Sequence, residues 1–391
     1  MRIDRNRLLA AAAGLLAGIV LTAAALLIAA GGLQGLRALF RCSELLHVLE
    51  RDYVGDYDIQ EVTDGALAGA VDALGDQWSY YMDAEAYDAY LDYSANRYQG
   101  IGVTVTKDEE TGGFLIMAVT KDGPAQTAGI VKGDIILAVD GTDVTEGDTA
   151  FLKSLIQADF GKTAAVEVLH ENGAAEVFDV SCEEIFSSPV RTALLDGSVG
   201  YVAIDNFRKD AGSEAIEAIE DLIGQGAESF IFDVRNDPGG QVNELTELLD
   251  RLLPEGDIFV RADKNGHEEV DVSDAVSLDM PMAVIVNGDS YSAAEYFAAA
   301  LREYDRAVVV GEPTTGKARS QITVPMTDGA VHISKYSYLT PLRNDLYEAG
   351  GLMPDIVIEL TEEERLLLDT GWLEPEDDPQ VQAALEALRA S

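Results

Sequence analysis

The feature that most limits what this chain can fold into is a repeated switch of apolar period between residues 199 and 310. Residues 199–204, 230–234, 282–286 and 307–310 read as short strands of buried type. Between them Ile216, Ile219, Leu222 and Ile223, then Val242, Leu245, Leu249 and Leu252, then residues 292–303, follow helical spacing. Strand and helix in alternation predict an α/β core with largely parallel strands. Ligand chemistry in such sheets collects beyond the carboxyl ends of strands. Two turns fall there: Arg235-Asn236-Asp237-Pro238-Gly239-Gly240 and Asn287-Gly288-Asp289-Ser290-Tyr291-Ser292.

Upstream the period is different. Residues 41–93 read as helical, with Gly75-Asp76 as a stop and Trp78-Ser79-Tyr80-Tyr81-Met82-Asp83 leading into a further helix. From about residue 98 the pattern is that of strands, with Ile101, Val103 and Val105 alternating, then runs at 114–119 and 134–139 and the turn Asp140-Gly141. A helix at 148–158 and strands at 164–169 and 177–180 close this module. Its glycine turn, Gly100-Ile101-Gly102-Val103, lets successive N–H groups converge on one carboxylate, and an open strand edge beside it accepts an added peptide strand.

The N-terminus begins with Arg2, Arg5 and Arg7 and then runs uncharged from 8 to 30, long enough to cross a hydrocarbon core of ~30 Å. The stretch exceeds a cleaved signal's apolar region and lacks a good cleavage site, so an uncleaved transmembrane anchor with the rest of the chain outside the cytoplasm is expected. The net charge of −43 repels phosphate backbones and anionic headgroups, which argues against nucleic acid and leaves hydrophobic insertion as the route to a membrane. Cys42 and Cys182 stand alone, and the four histidines, His47, His170, His267 and His332, fit no metal-binding spacing; no metal or cofactor is expected.

Ser292 lies where a buried strand turns into a helix, so free N–H groups and the helix dipole favour negative charge beside it. In acyl transfer the N–H of Ala293, with one from Gly239-Gly240 on the adjacent turn, can bind the oxyanion. Taken by itself, a serine there is a helix cap. The stretch Gly311-Glu312-Pro313-Thr314-Thr315-Gly316-Lys317 follows the next strand and supplies a lysine at a glycine turn. A lysine acts as base only when neutral, so its pKa must fall from ~10.4 toward ~8 through desolvation. The same stretch satisfies P-loop spacing, but Ala318 stands where a Ser/Thr is required, and residues 321–324 alternate like a strand instead of opening a helix. A Ser-His-Asp hydrolase is disfavoured because the serine turn reads GxSxS rather than GxSxG.

These residues carry a family resemblance. Phe232-Asp233-Val234-Arg235-Asn236-Asp237-Pro238-Gly239-Gly240, Ser292-Ala293-Ala294-Glu295, Gly316-Lys317 with Gln321, and Gly350-Gly351-Leu352-Met353-Pro354-Asp355-Ile356 resemble the carboxyl-terminal processing peptidases of family S41. Gly123-Pro124-Ala125, Lys132-Gly133-Asp134-Ile135-Ile136 and Val139-Asp140-Gly141 resemble a PDZ domain. The resemblance implies a crotonase/ClpP-like α/β peptidase core, an N-terminal helical region and an inserted PDZ-like domain. It implies a serine endopeptidase with Ser292 as nucleophile, Lys317 as base 25 positions on, and Gln321 orienting the lysine. Ile101, Gly102 and Val103 would capture the C-termini of exported protein substrates. Glu295 reads as structural at the helix start. Tyr291, Ala294, Thr315 and Ala318 depart from the family pattern, and Tyr291 in particular bears on the room beside the nucleophile. Self-association as a homodimer or higher homo-oligomer is implied through terminal helices, with residues 381–388 as the strip. The expected divisions are an anchor at 1–34, the helical region at 35–95, the PDZ-like module at 96–183, the peptidase core at 184–360 and a tail with a short helix at 361–391. The alternative is an inactive PDZ scaffold, against which stands the joint presence of serine, lysine and glutamine.

Overall fold

Runs of β-branched and aromatic residues at 199–204, 229–233, 282–286 and 307–311 cannot leave either face in water, and they become the centre of a six-stranded sheet. The computed structural model describes residues 5–158 and 160–390, with side chains from residue 14 on and not at 158. In this sheet Val190–Leu195 pairs antiparallel with Val199–Ile204. Ser229–Asp233, Met282–Val286, Ala307–Gly311 and Ile356–Val357 then follow in parallel. One face packs Phe230, Phe232, Val284 and Val286 against the helices Ala211–Gln225, Val242–Leu252 and Ala293–Glu303. The other packs Ile231, Ala283 and Ile285 against the helix Pro379–Ala390.

That last helix corrects one expectation. Val381, Ala384 and Leu385, the strip expected to serve self-association, are buried against the sheet of their own chain. An ionic anchor accompanies them, since buried Arg235 pairs with Asp233 and, at 2.7 Å, with Asp378. A second, antiparallel sheet joins Tyr80–Met82, Gly329–Leu339, Gly256–Ala262 and Glu268–Ser273, with Arg319–Met326 paired to Gly329–Leu339.

The module between these parts is a six-stranded antiparallel sheet whose outer strand is Val103–Lys107, paired on one side only, to Phe114–Val119. It has its own core of Ile101, Phe114, Ile116, Ile136, Val166 and Val168. The chain enters along Arg97–Gly100 and leaves along Glu183–Phe186, and these two strands pair with each other. Cys182 is buried there, its thiol donating to Ile156 O at 3.0 Å.

By contact density the chain divides into Met1–Leu67 and Ala68–Ser391. In the first unit the helices Arg5–Ala29 and Leu33–Asp52 meet at Gly31 and Gly32, both at positive φ. Among the described residues no single helix is long and apolar enough to cross a membrane; Gly14–Ala29 and Leu33–Asp52, bent by 86°, pass only as a pair. The expected single span over 8–30 is thus supported only as part of that bent pair. Arg2 lies outside the described residues, and so do the side chains of Arg5 and Arg7.

Candidate active site

Ser292 caps the helix Ala293–Glu303 with φ 59 and ψ −116, a left-handed backbone that a serine adopts only when its surroundings impose it. The imposing contacts come from the neighbouring turn. Tyr291 N–H donates to Asp237 O at 3.1 Å. Asn287 Nδ2 donates to Asn236 Oδ1 at 2.6 Å. Gly239, at φ +83, lies so close that a Cβ there would meet Ala293 N at 2.8 Å and Ser292 Cβ at 2.9 Å. Only glycine allows this approach.

The helix start leaves the Ala293 N–H without an intrahelical partner, as the first turn of any helix does. Gly239 behaves differently from the expectation that it would donate to an oxyanion. Its N–H already donates to Asp237 Oδ1 at 2.7 Å. Gly240 is exposed on the same turn, and its N–H makes no hydrogen bond among the described residues. The free donors beside Ser292 are thus those of Gly240 and Ala293.

Lys317 is held by a carboxylate that sequence reading treated as structural. Glu295 is fully buried, and it accepts from Ser292 N at 3.1 Å, Gly316 N at 2.6 Å, Lys317 N at 2.9 Å and Thr314 Oγ1 at 2.5 Å. One side chain thereby fixes the serine turn against the lysine loop. Burial pushes its carboxyl above the usual range, opposed by those four donors. Thr315 adds a second tie, its hydroxyl donating to Gly288 O at 2.6 Å. The P-loop alternative fails on this geometry. A carboxylate occupies the amides a phosphate would need, and the strand Arg319–Met326 follows where a helix is required.

The lysine ammonium sits over the Trp78 ring, 4.3 Å from its centroid, and 5.6 Å from that of Tyr291. Burial lowers its pKa from 10.5 to about 8, while Glu295 and Asp76 pull the other way. Trp78 is itself fixed through Asp76, which accepts from Trp78 N at 3.2 Å and Ser79 Oγ at 2.5 Å. Tyr291, whose bulk raised the question of room, stands beside Trp78 with ring centroids 6.1 Å apart and forms part of the lysine's wall. Tyr338 closes the floor, its hydroxyl donating to Lys317 O and lying against Ser292.

Ser292, Ala293, Gly239, Gly240, Lys317 and Gln321 all line one cavity of about 790 Å³. Gln321 does not touch the lysine through its amide nitrogen, which donates to Arg319 O at 2.9 Å and Ser334 Oγ at 3.2 Å. His332 is the histidine the fold brings into this cavity. It stacks on Tyr80, its Nδ1 lies 2.8 Å from Thr323 Oγ1, and burial lowers its pKa to about 4. Among the described residues no carboxylate pairs with it, so the third member of a Ser-His-Asp set is missing.

Of the residues that matter, sequence reading missed Trp78 as the lysine's platform and Asp237 and Glu295 as the ties of the two turns. The Trp78 contact spans 239 positions, and local pattern carries no signal for it. In the module, Ile101 and Gly102 turn their carbonyls inward, to Ala125 N and Thr120 N at 2.9 Å each, beside the open edge that begins at Val103. A second cavity, of about 880 Å³, lies between Met117, Ile130 and Lys132 of the module and Arg235, Asp369 and Pro375 of the core and tail. Lys132 crosses it, donating to Gly371 O at 2.6 Å and covering the Trp372 ring at 3.9 Å.

Comparison with known proteins matches peptidase family S41 to residues 198–358 and a PDZ domain to residues 99–181. The carboxyl-terminal-processing protease of Synechocystis sp. is 30% identical over 338 residues, 84% of this chain and 77% of that protein. The carboxy-terminal processing protease CtpB of Bacillus subtilis is 27% identical over 332 residues, 83% of this chain and 68% of that one. A solved protein of Bacteroides fragilis, assigned to the S41 proteases, shares the fold at a TM-score of 0.61 and 17% identity, covering 86% of this chain and 92% of its own. With a strand-to-helix serine turn, a glycine turn and a lysine loop around one cavity, and with that likeness over most of its length, the chain belongs to peptidase family S41, the carboxyl-terminal-processing proteases, and carries a PDZ domain.

Proposed function

We propose that this chain is a serine endopeptidase with a Ser/Lys dyad, cutting exported or membrane-associated proteins whose C-termini its PDZ domain captures. The observation that carries the reading is the partly buried lysine. Lys317 faces the same cavity as Ser292, with its pKa lowered to about 8 by desolvation. At neutral pH about one lysine in ten is then neutral, against about one in three thousand for an unperturbed side chain. Neutral Nζ takes the Ser292 Oγ proton as the oxygen attacks the scissile carbonyl, and returns it to the leaving amine. The developing oxyanion takes hydrogen bonds from the N–H groups of Gly240 and Ala293. Gln321 bounds the lysine's side of the cavity and orients it once a substrate is seated.

The module accepts a substrate C-terminus as an added strand beside Val103–Lys107, its carboxylate on the amides of Ile101, Gly102 and Val103. The apolar N-terminal segment attaches the chain to the membrane, with the peptidase outside the cytoplasm. The test is cleavage of an unfolded protein with an apolar C-terminus by wild type, Ser292→Ala and Lys317→Ala. Each variant is expected to lose at least ~1,000-fold in rate with its circular dichroism unchanged. Full activity in either sinks the dyad; C-terminal peptide binding without any cleavage by wild type favours a scaffold.

A further inference from the structure

We propose that Asp237 is a positioning residue that serves the reaction in its uncharged form: it locks the glycine turn against the Ser292 turn, and ionised it opposes the negative charge that the reaction develops there. The inference rests on the reading of Ser292 as nucleophile and of Gly240 and Ala293 as oxyanion donors.

Geometry carries it. Asp237 is fully buried. Oδ1 accepts the Gly239 N–H at 2.7 Å, and its own carbonyl accepts the Tyr291 N–H at 3.1 Å, so the residue binds both turns that face the reacting atoms. Oδ2 is buried and has no hydrogen-bond partner among the described residues. A carboxylate has about four acceptor sites to fill, and a buried one that fills so few is much costlier than its neutral acid.

The groups facing it do not supply the missing compensation. Arg208, on the loop after Val199–Ile204, is the nearby cation. Its Nη1 donates to Tyr93 O at 3.1 Å and Asn96 Oδ1 at 3.2 Å, its plane lies 3.7 Å from the Tyr93 ring centroid, and its Nε is buried without a partner. It forms no ion pair with Asp237 among the described residues, and moderates it through space only. Asp205, on the same loop, adds negative charge, and Tyr291 of the nucleophile turn is a neutral phenol below its own raised pKa. Burial accordingly pushes the Asp237 carboxyl well above the usual range, with the Gly239 N–H and Arg208 opposing it.

The consequence concerns the sign of the field at the oxyanion. Attack by Ser292 Oγ moves an electron pair onto the carbonyl oxygen, next to the Gly239-Gly240 turn. A neutral Asp237 leaves that turn's amides to act on it, whereas an anion in the same dry place repels it. Activity therefore rises with pH as Lys317 loses its proton, and ionisation of Asp237 opposes that rise.

The experiment measures kcat and KM of the full chain on an unfolded peptide from about pH 6 to about pH 10, for wild type and Asp237→Asn. The amide keeps an oxygen for the Gly239 N–H and never ionises. The expected result is a variant-to-wild-type ratio that climbs about tenfold or more as pH rises, mostly in kcat. A ratio independent of pH overturns the proposal, as does loss of activity in a folded Asp237→Asn at every pH. Should the variant not fold, the wild-type profile decides by itself: one that follows the titration of Lys317 alone from about pH 6 to about pH 10 is contrary. Ser292→Ala is run alongside, because cleavage surviving in it removes the nucleophile itself, an outcome distinct from a flat Asp237→Asn ratio.

Discussion

At Lys317 two opposite effects of one aromatic ring meet. The face of Trp78 attracts the ammonium, which favours the charged form by ~1 kcal/mol, and its bulk keeps water away, which favours the neutral form. Desolvation is the larger, since burial brings the pKa from 10.5 down to about 8, which corresponds to ~3 kcal/mol. Trp78→Ala is therefore expected to move the ascending limb of the pH–rate profile upward by about one unit. At about pH 7.5 kcat/KM falls several-fold, and raising the pH restores it. A loss equal at every pH would mean that Trp78 contacts substrate and does not tune the base. The serine and the lysine were legible in the sequence because each follows a buried strand of the core, and their spacing of 25 took its meaning from the family resemblance. The tryptophan was not, because the sheet that brings Tyr80–Met82 to Gly329–Leu339 pairs segments distant in sequence.

At the scale of elements the site is two turns pressed together. The serine turn and the glycine turn end adjacent parallel strands, Met282–Val286 and Ser229–Asp233, so the sheet fixes their distance before any side chain acts. Gly239→Ala is expected to reduce kcat at least ~100-fold, because a Cβ at positive φ would meet Ala293 N at 2.8 Å and displace a donor. Initial-rate kinetics checks this, with thermal melting to separate local displacement from unfolding. The central strands and helices were readable from period alone; helix Val242–Leu252 and strand Met282–Val286 have the limits that apolar spacing gives. The hairpin Gly256–Ala262 with Glu268–Ser273 was not readable, since Glu268, Glu269 and Asp271 leave few apolar residues in it and it is held by pairing to Gly329–Leu339. Glu295 hid for another reason: a glutamate at the third position of a helix is an ordinary capping residue, and only the fold shows that it also receives the lysine loop.

For the whole molecule, the tail is part of the peptidase core. Asp378 accepts from Gln380 N at 2.9 Å at the start of the last helix and pairs with buried Arg235, which in turn holds Asp233 at the end of a core strand. Asp378→Ala leaves that guanidinium half compensated and is expected to cost about 3–5 kcal/mol, read as a lower urea midpoint. Asp378→Asn, which keeps the cap, is expected to cost less. Equal stability of both variants with wild type would show that the tail is held by its apolar face alone.

The central claim is that Ser292 attacks only when Lys317 is neutral. A phosphonylating probe for active serines, followed by peptide mapping in a mass spectrometer across a pH series, reads this directly. The account predicts one adduct, on Ser292, forming at a rate that rises with pH to a half-maximum near pH 8 and at least ~1,000-fold slower in Lys317→Ala. An adduct on another serine, or an unchanged rate without the lysine, would contradict it.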